Sequence, residues 1–160
     1  MRRPIIAGNW KCHLQLSEAA ALTRDLLAQL GAIRNVEIVV CPPYPALSVV
    51  AQVLGGDRAG TFHAGEEVPQ RAGAAASSIG LGAQDLFWEP QGAFTGEVSA
   101  PMLVDAGCAY CIIGHSERRQ QFGETDESVN KKAAAALACG LIPIVCVGET
   151  LQQREGSQTF

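Results

Sequence analysis

Long apolar runs are missing from this chain. No stretch approaches the roughly 18 consecutive apolar residues of a membrane-spanning helix. Residues 4–7, after the basic Met1-Arg2-Arg3, are too short for the hydrophobic region of a secretory signal. The expected location is therefore cytoplasmic, with no membrane partner. A basic stripe is missing as well. Twelve Lys and Arg stand against sixteen Asp and Glu, a net charge of −4, which argues against nucleic acid as a partner. Several short motifs are also absent. No GxxxxGK[ST] phosphate loop occurs, Gly80-Leu81-Gly82 lacks the third glycine of a dinucleotide fingerprint, and no GxSxG nucleophile elbow is found. Cys108 and Cys111 form one CxxC, but no second one completes a zinc site. On a strand, odd spacing would aim these two thiols at opposite faces. The six cysteines read as reduced, small hydrophobes.

What is present is a hydrophobic content of 48% and 160 residues, enough for one domain spanning 1–160 with a real core. Five short apolar runs, at residues 4–10, 36–41, 79–84, 110–115 and 141–147, are rich in Ile, Val and Cys. Near-continuous hydrophobicity over so few residues suggests strands buried on both faces, as in parallel sheets. Helical patterns lie between them. Ser17 can cap a helix with Leu22, Leu26 and Leu30 on one face and Gly31 past its end. Residues 45–54 read as a second helix, stopped by Gly55-Gly56. Ser99 can cap a third, with Pro101 in its first turn and Gly107 after it, and Thr125 a fourth, with Asp126 and Glu127 early and Gly140 at its stop. A further helix should start near Glu149-Thr150-Leu151.

The runs start 32, 43, 31 and 31 residues apart, a βα unit repeated about every 31 residues. The long interval holds a Gly- and Ala-rich insertion, residues 55–78, between the second helix and the third strand. It reads as a mobile surface segment in which His63 faces solvent.

Chemistry in parallel α/β folds collects at the carboxyl ends of the strands. Alternation along the first strand puts Ala7, Asn9 and Lys11 on one side, with Trp10 turned the other way into packing. The fourth strand delivers His115 and Glu117 to a point where a helix begins, and the amides of a helix start disfavour an imidazolium. An amide, a cation and a neutral imidazole at neighbouring strand tips suit a small anionic carbonyl compound.

Five segments carry a resemblance. They are Ala7-Gly8-Asn9-Trp10-Lys11, Gly92-Ala93-Phe94-Thr95-Gly96-Glu97, Ile113-Gly114-His115-Ser116-Glu117-Arg118-Arg119, Phe122-Gly123-Glu124-Thr125-Asp126-Glu127 and Cys146-Val147-Gly148-Glu149. Together, in this order, they resemble the triosephosphate isomerase family from residue 4 to about residue 156, apart from the insertion. The resemblance implies a (β/α)8 TIM barrel, of which this chain supplies about five parallel βα units. It also implies interconversion of dihydroxyacetone phosphate and D-glyceraldehyde 3-phosphate, with no cofactor and no metal. Lys11 would neutralise the substrate phosphate and the enediolate charge, and Asn9 would orient the substrate. His115 would be the neutral electrophile, a role known for this family and so carried by the resemblance rather than by the spacing. Glu117 would stand beside Lys11. Residues 92–97 resemble a loop that inserts into a second subunit of a homodimer, with Thr95 reaching the partner's site. Glu97 and Cys12 match interface positions.

Two departures stand out. Asp85 occupies a position near the dimer contact where the family usually has Asn, so an added charge would weaken or re-tune that interface. A barrel of this type also takes roughly 250 residues. The sixth to eighth strands would be missing, and with them the glutamate base, the lid loop and the late phosphate loop. On this expectation the chain alone is inactive. The alternative is a non-catalytic half-barrel that associates with itself or with a complementary fragment.

Overall fold

Each short apolar run forms a strand. In the computed structural model, which describes residues 3–55 and 78–156, the strands are β1 (Ile5–Asn9), β2 (Glu37–Cys41), β3 (Ile79–Ala83), β4 (Tyr110–Ile113) and β5 (Ile142–Val145). They are all parallel and follow one another in space as in sequence. The helices are α1 (Leu16–Leu30), α2 (Leu47–Gly55), α3 (Ala100–Asp105), α4 (Ser116–Gln121), α5 (Asp126–Ala138) and α6 (Leu151–Glu155). Right-handed crossovers that always step in the same direction place every helix on the same face of the sheet. The other face is then free to curl inward, and the five strands form a curled half-barrel.

Strand alternation separates two apolar layers. Ile38, Val40, Leu81, Ala83 and Ile113 meet Ala19, Leu47, Val50 and Leu103 on the helix side. Val39, Cys41, Tyr110 and Ile112 face the inside with Ile142 and Ile144. Burial of each large aliphatic side chain stabilises by about 1.5–3 kcal/mol. Trp10 packs on the helix side, as alternation requires. β3 runs bare past Tyr110. A Cβ at Gly80 would lie 2.9 Å from Tyr110 Cε2, and one at Gly82 would lie 2.7 Å from Cys41 Sγ. The Tyr110 side chain lies along these glycines, and its hydroxyl donates to the Glu37 carboxylate at the start of β2. Among the described residues β1 pairs only with β2 and β5 only with β4, leaving two open edges. Ile6, Val145 and Val147 are exposed there.

Local boundaries depart from sequence expectation in four places. α1 is entered from Gln15, not Ser17, because the Glu18 carboxylate accepts from the Gln15 N–H at 2.8 Å and so closes the first turn two residues earlier. The second helix opens as a 3-10 turn, Tyr44–Ala46, and its α-helical part runs through Gly55. Ser99 does precede α3, but its Oγ is buried without a hydrogen-bond partner, so the cap is made by the backbone alone. Cys108 and Cys111 both lie in the helix-side layer as free thiols. Cys108 sits in the turn before β4, where strand alternation does not apply. Thr125 caps α5 as expected, accepting from the Ser128 N–H at 3.2 Å. Residues 56–77, which hold most of the Gly- and Ala-rich insertion and its His63, lie outside the described residues.

Candidate active site

The tip of β1 is shaped by a single side chain. Asn9 Oδ1 accepts from the Lys11 N–H at 2.9 Å, a two-residue turn that short polar side chains favour. This folds Lys11 into the left-handed region at φ 53°, which costs a residue with a Cβ about 1–2 kcal/mol. The strain is held by Gln84, just past β3. Its Nε2 donates to the Lys11 carbonyl at 2.8 Å and to the Cys41 carbonyl at 2.9 Å. One amide thus stitches together the tips of β1, β2 and β3.

His115 arrives from the other side. Gly114, at φ 72°, turns the chain out of β4, and a Cβ there would meet Arg119 and Val129 at 3.1 Å. His115 then caps α4, its Nδ1 accepting from the Glu117 N–H at 3.3 Å. A backbone amide can only donate, so the ring proton of the uncharged imidazole belongs on Nε2. The ring therefore presents an N–H donor on the side away from its own helix. Glu117 Oε2 lies 3.5 Å from Nδ1; with that nitrogen already accepting, it is a neighbour rather than a partner. Glu117 Oε1 accepts from Lys11 Nζ at 2.8 Å. That bond holds the Glu117 carboxyl below the usual carboxylate range. β1 and β4 are not adjacent strands. Curling of the sheet, not pairing, brings Lys11 and His115 onto the same residue, Glu117, the one at its carboxylate and the other at its backbone N–H.

Behind this surface lies a buried group of charges. Lys132 Nζ donates to both oxygens of Asp85, at 2.7 and 2.8 Å, and also to Glu124. Arg118 Nε stands 2.8 Å from Asp85 Oδ2. Asp85, Glu124 and Lys132 are all buried. Burial pushes the Asp85 carboxyl up, against the hydrogen bond from Lys132 and the charges of Lys132 and Arg118. At 4% exposure, its charge is met within its own subunit rather than presented at a surface.

Thr95 and Glu97 lie exposed on the loop between β3 and α3, whose base is closed by a bridge between Phe87 and Ser99. Cys12 is exposed in the loop after β1. None of the three makes a hydrogen bond or ion pair with Asn9, Lys11 or His115. Among the described residues no group of three or more His, Cys, Asp or Glu is assembled to hold a metal. Sequence reasoning missed Gln84 and the Lys132 cluster. The usable signal was position: Gln84 is the first residue beyond β3, as Asn9 is the last of β1.

Comparisons with known proteins agree with this geometry. The family model described as Triosephosphate isomerase matches residues 4–160. The triosephosphate isomerase of Chloroflexus aurantiacus is 54% identical over 158 residues, covering 99% of this chain and 55% of that protein. That of Moorella thermoacetica is 54% identical over 160 residues, covering all of this chain and 56% of that protein. A crystal structure of triosephosphate isomerase from Bartonella henselae superposes with a TM-score of 0.81 at 36% identity, covering 98% of this chain and 56% of that one. The chain spans about half the length of the curated relatives it matches. With these matches and the pairing of Lys11 and His115 through Glu117, the chain belongs to the triosephosphate isomerase family.

Proposed function

We propose that this site serves the interconversion of dihydroxyacetone phosphate and D-glyceraldehyde 3-phosphate. The observation that carries the reading is the double role of Glu117, whose carboxylate holds the Lys11 ammonium at 2.8 Å and whose backbone N–H leaves His115 with a donor on Nε2. In this reaction a base takes a proton from one carbon of the hydroxyketone, and a proton returns to the neighbouring carbon. The enediolate between these steps carries its charge on oxygen. The Nε2–H of His115 meets that oxygen with a preorganised donor. Lys11, with its side chain half exposed, supplies a cation to the phosphate and to the same developing charge. Asn9 sets the angle at which that cation is offered.

The base is the missing part. Among the described residues the carboxylate that touches Lys11 and neighbours His115 is Glu117, and it is engaged by Lys11. A general base must lie within hydrogen-bond reach of the carbon-bound proton. The proton acceptor therefore comes from outside the described residues, which by themselves are expected to bind the substrate without turning it over. The functional form is a cytoplasmic homodimer, in which the exposed loop carrying Thr95 and Glu97, with Cys12, meets a second subunit. The test is a titration of the chain with 2-phosphoglycolate, followed by NMR at His115 and Lys11, with glucose 6-phosphate as control and an isomerisation assay alongside. Selective shifts at both residues with negligible turnover are expected. Turnover near that of a complete enzyme overturns the inactivity, and equal response to both phosphates overturns the substrate class.

A second reading is favoured by the open edges. Ile6 on β1 and Val145 at the end of β5, with Val147 just beyond it, are exposed and suit a half-barrel that self-associates or takes up a complementary fragment. Sedimentation of a rigid monomer would contradict it.

A further inference from the structure

Two dipeptides frame Lys11. Gln84 holds its carbonyl and Glu117 holds its ammonium. The residue after each is charged, and these next residues meet: Asp85 Oδ2 and Arg118 Nε are 2.8 Å apart. Lys132 then grips Asp85 through both oxygens and Glu124 through one. The clamp on Lys11 is thus closed at the back by an ion cluster that does not itself reach the site.

We infer that Asp85 is a positioning residue, which through Arg118 and Lys132 sets the separation of Gln84 and Glu117 and so aims the Lys11 ammonium beside His115. This rests on reading Lys11 and His115 as the working pair. Arg118 has a competing partner. Glu124 Oε2 lies 3.7 Å from Arg118 Nε; both are buried atoms without a hydrogen-bond partner, and the approach of Arg118 Nε to Asp85 is an ion-pair contact. With Asp85 charged, Arg118 stays toward β3. Without that charge, two cations face one carboxylate, and Arg118 relaxes toward Glu124. Arg118 lies in α4, one residue from Glu117, so the movement draws Glu117 away from Lys11. A buried ion group of this kind is weak evidence for stability. Its consequence here is geometric.

The experiment compares the chain with Asp85→Asn and Arg118→Gln, reading the Glu117 carboxyl titration by 13C NMR and the His115 ring 15N shifts, with near-UV circular dichroism as the check on fold. In the unaltered chain the Lys11 bond holds the Glu117 midpoint low. In both variants the midpoint is expected to move up toward that of Lys11→Met, with the His115 ring signal displaced. An unchanged Glu117 midpoint in a folded Asp85→Asn overturns the inference. If Asp85→Asn does not fold, Arg118→Gln, which cuts the same link from the side that is one-third exposed, decides it by the same criterion. Failure of the proposed isomerase reading would appear instead as no selective response to 2-phosphoglycolate, whatever the Glu117 midpoints of the variants.

Discussion

Gln84 Nε2 donates to the Lys11 carbonyl at 2.8 Å across 73 positions of sequence. A side chain from β3 thereby holds a strained residue at the end of β1. Gln84→Ala removes this bond and the one to Cys41, whose carbonyl keeps the Trp10 N–H at 3.0 Å. The expected loss is about 1–2 kcal/mol in urea unfolding. The Lys11 amide signal should shift as φ leaves the left-handed region. A variant with unchanged Lys11 chemical shifts would remove Gln84 from the site.

The Lys11–Glu117 bond predicts a pH dependence of definite sign. The Glu117 carboxyl is lower in the folded chain than in the unfolded one. Its contribution to stability is therefore present above the ordinary carboxylate range and is lost as pH falls through the folded value. Lys11→Met should abolish that dependence and raise the Glu117 midpoint, as read by 13C NMR and by acid unfolding. Equal midpoints in the two proteins would mean the bond is not held in solution.

The thiols divide by burial. Burial pushes Cys41 and Cys108 up to about 12 and Cys111 up further, and only the thiolate reacts readily. Iodoacetamide at pH 8, followed by peptide mass spectrometry, should label exposed Cys12 first. Cys41, Cys108 and Cys111 should remain unlabelled until denaturant is added. Early labelling of Cys111 would show that the helix-side layer opens.

Gly82→Ala puts a methyl group 2.7 Å from Cys41 Sγ. Overpacking of this kind costs about 1–3 kcal/mol. Combining it with Cys41→Ala removes the sulfur it strikes, so the double variant should be less destabilised than the sum of the singles. Val39 Cγ1 and Tyr110 Cβ, each 3.2 Å away, limit the recovery. Strict additivity in urea unfolding would disprove this packing.

The strands and much of the site were legible because their causes are local. Val36 to Cys41 and Tyr110 to Ile113 are apolar on both faces, which is what a strand covered by helices on one side and by barrel interior on the other requires. Asn9, Lys11, His115 and Glu117 announce themselves by type and by their place after a strand. The partners of Lys11 were legible only in part. Its link to Glu117 follows from the family pattern, whereas its link to Gln84 depends on the curl of the sheet, which no window of sequence contains. The partners of Asp85 were hidden for the same reason. Lys132 and Glu124, distant in the chain, decide that its carboxylate turns inward. Gln15 was missed because Glu18 reaches back to its N–H, and a glutamine advertises a helix start less clearly than a nearby serine does.

The bare face of β3 ties distant positions together. The Tyr110 ring occupies the volume that a side chain at 80 would need, whereas a side chain at 82 would strike Cys41 Sγ first, with Tyr110 Cβ and Val39 Cγ1 close behind. Where a relative carries a smaller residue at 110, substitution of Gly80 becomes sterically permissible, and substitution of Gly82 calls instead for a smaller residue at 41. Sequence drift should be correlated between positions 80 and 110, and between positions 82 and 41.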